Sequence, residues 1–220
     1  MHKTPKEVID ATADVAAAYK PNVAFYESLG AQGFTALKRT IEYAHKKAPK
    51  TVVIADGKRG DIGSTNDHYV KAFFDILKAD ALTLSPYLGG EAMQPFLGRR
   101  NKGLIFLDRT SNPGGGLFQN LLMMEGSQQR EGVPLFEKVA SAARNLWNEN
   151  NNVGLVAGAT HPEEAGRIRH IVGSDMMLLV PGVGAQGQSA SEIVPRALRR
   201  GDMGVINSSR AIIFQKDVPP

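Results

Sequence analysis

The sequence predicts an α/β fold of the (β/α)8 TIM-barrel type, incomplete, with seven readable strands in one domain over residues 1–220. Three observations carry this. Short runs rich in β-branched and apolar residues alternate with segments of helical periodicity, the signature of βα units and a parallel sheet. The runs recur at about 25–35 residues, as a (β/α) barrel needs. Every candidate functional cluster falls just after a strand: Lys20, then Asp56 with Lys58, Thr110 with Ser111, Pro181 to Gln186, and Ser209 with Arg210. Barrels build their sites on that face. A doubly wound sheet also puts ligands at strand ends but uses fewer of them.

The first helical pattern covers residues 4–18, with Pro5 in its first turn, where a missing N–H costs little. Residues 18–24 read as a short strand. Phe34, Leu37, Ile41 and Tyr43/Ala44 give the apolar stripe of a helix over 33–47. The central strand is 51–58, and Tyr69, Val70, Phe73, Phe74, Ile76 and Leu77 mark a helix over 64–78. Strands follow at 81–86 and 103–107, with a short helix at 91–97 between them. A glycine-rich connection over 112–132 is long enough to be functional or mobile. Helix 135–148, strand 153–159, helix 162–171, strand 176–180, helix 190–199 and strand 203–207 complete the alternation. Residues 211–220 end in Pro219-Pro220 and do not predict a full helix.

Composition narrows the function. The net charge of +4 is modest, and the basic residues are scattered without interleaved aromatics. An anionic small molecule fits better than nucleic acid. No apolar run approaches the roughly 18 residues of a membrane span, and the N-terminus lacks the apolar core of a secretory leader. Cysteine is absent, which removes disulfides and thiolate chemistry and fits a cytoplasmic location. The five histidines show no H-x-H or H-E-x-x-H spacing, so no metal site is expected.

The organising stretch runs from Thr51 to Thr65, where four β-branched residues and Ala55 lead into Asp56-Gly57-Lys58-Arg59-Gly60-Asp61. On a regular strand Asp56 and Lys58 point to one face. Asp61 lies just beyond, so two carboxylates are expected to flank one ammonium. Burial would push that lysine toward neutrality, and the carboxylates would hold it charged. The product is a positioned proton donor, a role closed to arginine near neutral pH. The D-x-K-x-x-D spacing alone also fits a solvated charge cluster. The strand before it and the helix start after it favour the functional reading. Farther on, Gly182-Val183-Gly184-Ala185-Gln186-Gly187 could wrap an anion with backbone N–H groups. Arg210, after the last strand, would add a bidentate fork to phosphate.

Taken in order, five motifs resemble orotidine 5′-phosphate decarboxylase over nearly the whole chain. They are Tyr19-Lys20-Pro21-Asn22-Val23-Ala24-Phe25-Tyr26, the stretch Asp56 to Thr65, Thr110-Ser111-Asn112-Pro113-Gly114, Val180 to Gly187, and Asn207-Ser208-Ser209-Arg210. The closest branch carries K-P-N and D-x-K-R-G-D-I. The resemblance implies a barrel that converts orotidine 5′-phosphate to UMP and carbon dioxide without metal or cofactor. It implies that Lys58 protonates carbon 6 of the pyrimidine and that Asp56 faces the departing carboxylate. Lys20 and Asp61 become the outer members of a Lys-Asp-Lys-Asp network. Asp61, Ile62 and Thr65 reach a neighbouring subunit's site, making the active unit a homodimer. Thr110 and Ser111 contact the pyrimidine, and Asn22 the nucleotide. Gln186, Ser209 and Arg210 lie at the phosphate end, under a loop that follows Pro181.

The sequence departs from that pattern in three places. No strand with the family's ribose-contacting aspartate precedes Pro5, and no full helix follows Arg210, hence the expectation of an incomplete barrel. Gly57 stands where the family often has alanine. Two alternatives stay open. One is a nucleotide-phosphate-binding barrel without turnover. The other is a metal-dependent phosphosugar decarboxylase or aldolase, which uses a glutamate on the preceding strand; Lys20 there would repel Mg²⁺.

Overall fold

A computed structural model describes residues 4–124, 132–184 and 189–214. The chain divides into two compact units, residues 1–104 with 209–220, and residues 105–208.

The first unit opens on the helix Pro5–Thr12, shorter than the 4–18 expected. Thr4 and Glu7 form a capping box: the Thr4 hydroxyl accepts from Glu7 N at 3.3 Å, and the Glu7 carboxylate accepts from Thr4 N at 2.6 Å. Strand β1 is only Ala18–Tyr19. The strand expected over 18–24 stops because Asn22 caps a new helix, Val23–Glu27, accepting from Ala24 N at 3.2 Å. The helix Gly30–Lys47 buries Gly33, Leu37, Ile41 and Ala44 on one face. Gly33 has no room for a side chain, since a Cβ there would sit 1.7 Å from the Tyr26 carbonyl oxygen. His45, Lys46 and Lys47 close this helix where cations suit its dipole.

Strand β2, Val52–Arg59, lies parallel to β1 and to β3, Ala81–Leu84. Asp80 ties the layers together, accepting from Val53 N at 2.8 Å and meeting His45 Nε2 at 2.8 Å. All four residues of β3 are buried. The helix expected at 64–78 forms as Gly63–Val70 and continues with π geometry over Lys71–Ile76. Leu37, Ile41, Ile54, Phe73, Phe74, Leu82, Leu84 and Phe96 make the core.

Strand β4, Gly103–Arg109, leads into the second unit. The glycine-rich connection carries structure of its own. It has a 3₁₀ turn over Pro113–Gly115 and a short helix over Gly116–Gln119. An antiparallel pair follows, β5 (Leu122–Met123) with β6 (Val133–Pro134). The helix Leu135–Ala142 extends with π geometry to Trp147, whose ring centroid lies 5.0 Å from that of Phe106. Strands β7 (Val153–Ala157), β8 (Met177–Pro181) and β9 (Gly204–Asn207) pair in parallel, one after the next. The helices Pro162–Val172 and Ala190–Ala197 separate them. A short helix, Arg210–Ile213, follows β9.

One buried cation organises the second unit. Arg169 is 2% exposed and donates to the carbonyls of Ala197, Gly173, Met176 and Met203 at 2.5–2.8 Å. These groups lie at the end of one helix, just past another, and ahead of β8 and β9. The guanidinium's planar fork ties these carbonyls together, Met203 O also accepting from Leu178 N on β8 at 3.2 Å.

Candidate active site

The end of β2 holds a three-member ion cluster. Asp56 is 8% exposed, and its two carboxylate oxygens each take an ammonium at 2.6 Å, Lys58 on Oδ1 and Lys20 on Oδ2. Thr83, on β3, donates to Asp56 Oδ1 at 3.0 Å and accepts from Lys58 N at 2.9 Å. Burial pushes the Asp56 carboxyl up, but the Lys20 and Lys58 ammoniums outweigh it and hold the group below its usual range. Lys20 is nearly covered, whereas the Lys58 side chain is 49% exposed.

The expected pattern was one ammonium between two carboxylates. The structure shows the reverse, one carboxylate between two ammoniums. Asp61 is held elsewhere. Its Oδ1 accepts from Ile62 N at 2.7 Å, and its backbone is fastened by Asn66, which bonds both Asp61 N (3.1 Å) and Asp61 O (2.6 Å). Asp61 makes no ion pair among the described residues.

Nor is the strand regular. Lys58 has φ of +48°, a left-handed backbone outside glycine's usual role, and the pairing with β3 shifts register between Ala55 and Arg59. A bulge here re-aims a side chain, and such strain concentrates at functional sites. Arg59 braces it from behind. Its guanidinium donates to the Gly57 carbonyl at 2.8 Å, pairs with Glu27, and packs 5.4 and 5.3 Å from the ring centres of Tyr69 and Phe73. Gly57 fits tightly: a Cβ would meet Leu82 Cδ1 and Phe73 Cζ at 3.2 Å.

The other expected site residues are distributed as follows. Asn22 serves as a helix cap and bridges to Asp56 through the backbone. Ile62 is 60% exposed, and Thr65 is half-buried on the helix that begins at Gly63. Pro181 ends β8 with its carbonyl accepting from Ala159 N at 2.9 Å, and Gly182 and Gly184 follow in left-handed conformations. Gln186 lies outside the described residues. Ser209 and Arg210 are exposed at the start of the last helix.

At the end of β4 the buried Arg109 guanidinium lies 3.9 Å from the Glu164 carboxylate. Thr110 and Ser111 sit among amides, hydroxyls and backbone, with the Arg109 guanidinium donating to Thr110 O at 3.2 Å. Just before them Asp108 is 3% exposed, and neither carboxyl oxygen has a hydrogen-bond partner among the described residues. Burial drives its pKa well above the ordinary value despite the neighbouring Arg109 charge. Burial also lowers the pKa of His161, and the Arg109 charge adds to that.

Sequence reasoning missed Thr83, Asn66 and Gln119. Thr83 had a signal, as the one polar residue in Ala81-Leu82-Thr83-Leu84, a strand with both faces buried. Asn66, fully buried one residue past the motif, and Gln119, inside the long connection, had none.

Fold and site together define an α/β protein of the barrel type with an ion cluster at a strand end. The family model for the orotidine 5′-phosphate decarboxylase / HUMPS family matches residues 3–219. The orotidine 5′-phosphate decarboxylase of Cupriavidus metallidurans is 47% identical over 210 residues, spanning 95% of this chain and 74% of that protein. Among solved structures, Leishmania donovani OMP decarboxylase superposes with a TM-score of 0.85 at 38% identity, covering 97% of this chain and 79% of its own. Leishmania donovani UMP synthase gives 0.88 at 40% identity, over 97% of this chain and 45% of its own. The chain therefore belongs to the orotidine 5′-phosphate decarboxylase / HUMPS family, and its fold is of the (β/α) barrel type with seven parallel strands.

Proposed function

We propose that this chain decarboxylates orotidine 5′-phosphate to UMP and carbon dioxide, with Lys58 as the proton donor. The observation that carries the assignment of Lys58 is its own geometry: a strained backbone on a bulge, a half-exposed side chain, and a buried carboxylate holding its ammonium. Loss of carbon dioxide leaves an electron pair on carbon 6 of the pyrimidine. A fixed ammonium stabilises that charge as it develops and then gives up a proton to form the C–H bond. Asp56 faces the substrate carboxylate, whose departure relieves their repulsion, and Lys20 holds Asp56 in place. Asn22, Thr110 and Ser111 serve the nucleoside, while Pro181, Gln186, Ser209 and Arg210 serve the phosphate. Binding energy from that remote group is available to the transition state.

The active unit in this reading is a homodimer. The single chain leaves two ammoniums on one carboxylate, and Asp61 without an ion pair among the described residues, beside an exposed Ile62. Asp61, Ile62 and Thr65 would complete a neighbour's cluster. A cytoplasmic location agrees with the absence of cysteine. Among the described residues no helix is long and apolar enough to cross a membrane. Phosphosugar chemistry through Mg²⁺ is disfavoured, because the buried carboxylate that could ligate the ion already holds two ammoniums.

The test is loss of orotidine 5′-phosphate absorbance with the purified chain, beside Lys58→Ala and with EDTA present. Turnover that survives EDTA and falls by at least about 10²–10⁴-fold in Lys58→Ala supports the reading. Turnover that EDTA abolishes, or that Lys58→Ala retains, contradicts it.

A further inference from the structure

Thr110 and Ser111 close β4 and stand in the reading above as joint contacts to the pyrimidine. Their surroundings divide them. Gln119, from the helix Gly116–Gln119, turns its amide onto Thr110 from both ends. Its Oε1 accepts from Thr110 N at 3.1 Å and from Arg109 Nη1 at 3.1 Å, and its Nε2 donates to the Thr110 hydroxyl at 2.9 Å. The hydroxyl passes its single proton to Asn112 Oδ1 at 2.7 Å. A threonine hydroxyl has one donor and two acceptor positions, so Thr110 has no proton left to offer a ligand.

The packing is as tight as the bonding. A Cβ on Gly115 would lie 2.8 Å from both Gln119 Oε1 and Thr110 Oγ1. On the other side the backbone of Gly158 presses on the dipeptide: a Cβ there would lie 2.7 Å from Ser111 N and 2.9 Å from the Thr110 carbonyl carbon. Gly158 N donates to Arg109 O at 2.6 Å, and the Thr160 hydroxyl donates to Ser111 O at 3.0 Å. The backbone of Thr110 and Ser111 is thus fixed from several sides, whereas no hydrogen bond engages the Ser111 hydroxyl among the described residues.

We propose that Gln119 is a positioning residue for pyrimidine recognition, acting through Thr110, and that Thr110 serves this clamp rather than the ligand, leaving Ser111 as the contact. The inference rests on the nucleotide reading above. It gives the glycine-rich connection a purpose, because its short helix delivers the amide that sets where the strand end points.

The test is a double-mutant cycle on the full chain, with Gln119→Ala, Thr110→Val and the double variant. Binding of UMP and of ribose 5-phosphate is titrated calorimetrically, and thermal unfolding is followed beside it. Each single change is expected to weaken UMP binding by about tenfold, the scale of one lost hydrogen bond, and the double by no more than the worse single. Ribose 5-phosphate, which lacks the base, should bind all of them alike, a selectivity that general loosening would not give. Thr110→Ser, which keeps the hydroxyl, should restore UMP binding. Gln119→Glu keeps the acceptor but loses the donor, and should fall between; it stands in should Gln119→Ala not fold. Additive losses of about a hundredfold would show Thr110 touching the base directly and overturn the inference. UMP binding unchanged in every variant would overturn it too. No UMP binding by the unaltered chain would overturn the functional reading as well, which separates the two failures.

Discussion

Asp56 on β2 and Asp108 on β4 are both nearly buried acids toward the end of a parallel strand, and the protein treats them in opposite ways. Asp56 has a partner on every side: two ammoniums and the Thr83 hydroxyl. It stays ionised despite its burial. Asp108 has none among the described residues, and burial favours its neutral form. The comparison teaches that depth alone does not set a carboxyl's charge; the donors within reach do. It also separates two ways of building a strand end. The end of β2 uses charge and strain. The end of β4 uses amides, hydroxyls, the buried Arg109 guanidinium and glycines that allow backbones to touch.

The largest expected effect breaks the first of these. Lys58→Gly removes the proposed proton donor, so turnover should fall by at least about 10²–10⁴-fold. Lys58→Gly and Lys58→Ala both take an ammonium off Asp56, but only glycine relieves the left-handed backbone, so Lys58→Gly should exceed Lys58→Ala in stability by about 1–2 kcal/mol, a few degrees in Tm for a chain this size. Turnover lost in both variants together with that gap in Tm, read by turnover and calorimetry, would mark the strain at Lys58 as real. Equal Tm values in the two variants would show that the backbone at Lys58 carries no strain.

Arg169 sharpens the contrast within the second unit, because it is as buried as Asp108 yet satisfied by four carbonyls. Arg169→Met should cost about 3–5 kcal/mol in chemical denaturation, since it strands those carbonyls. A loss under about 1 kcal/mol would mean water replaces the guanidinium freely.

Thr83→Val leaves Asp56 Oδ1 and Lys58 N each short of a bond, an expected loss of about 1–3 kcal/mol in stability. Turnover should fall with it, and Thr83→Ser should recover both.

The two aspartates themselves give the smallest but most direct contrast, through pH. Asp56 has a lowered folded pKa, so its stabilisation is present above about pH 4 and is lost as pH falls through the folded value. Asp108 has a raised folded pKa, so its ionisation penalises the fold as pH rises from about 4 through the folded value. At neutral pH, Asp56→Asn should therefore lower Tm and Asp108→Asn should raise it. Both differences from the unaltered chain should close on acidification. Shifts of the same sign would contradict the assignment.

What could be read from the sequence follows the physics of each element. The β-branched run into Asp56 announced its strand, and the alternation of such runs with helical stripes gave the fold class. The register bulge at Lys58 was not legible, because a left-handed lysine leaves no mark in composition. The strand expected over 18–24 failed for a local reason: Asn22 is a better helix cap than strand residue, and Pro21 has no N–H for a ladder. Two carboxylates around Lys58 were expected from spacing alone, but Asn66 bonds the backbone of Asp61 and holds that loop in a different course. Gln119 was invisible because its partner, Thr110, is reached only after the connection folds back through Gly115.

In the proposed function the cluster at the end of β2 performs chemistry and does not hold the nucleotide. Titration of UMP into Lys58→Ala tests it most directly. A Kd within about threefold of the unaltered chain is expected, in a variant whose turnover is gone. A Kd weakened by about a hundredfold or more would contradict it, and would make Lys58 a binding residue first.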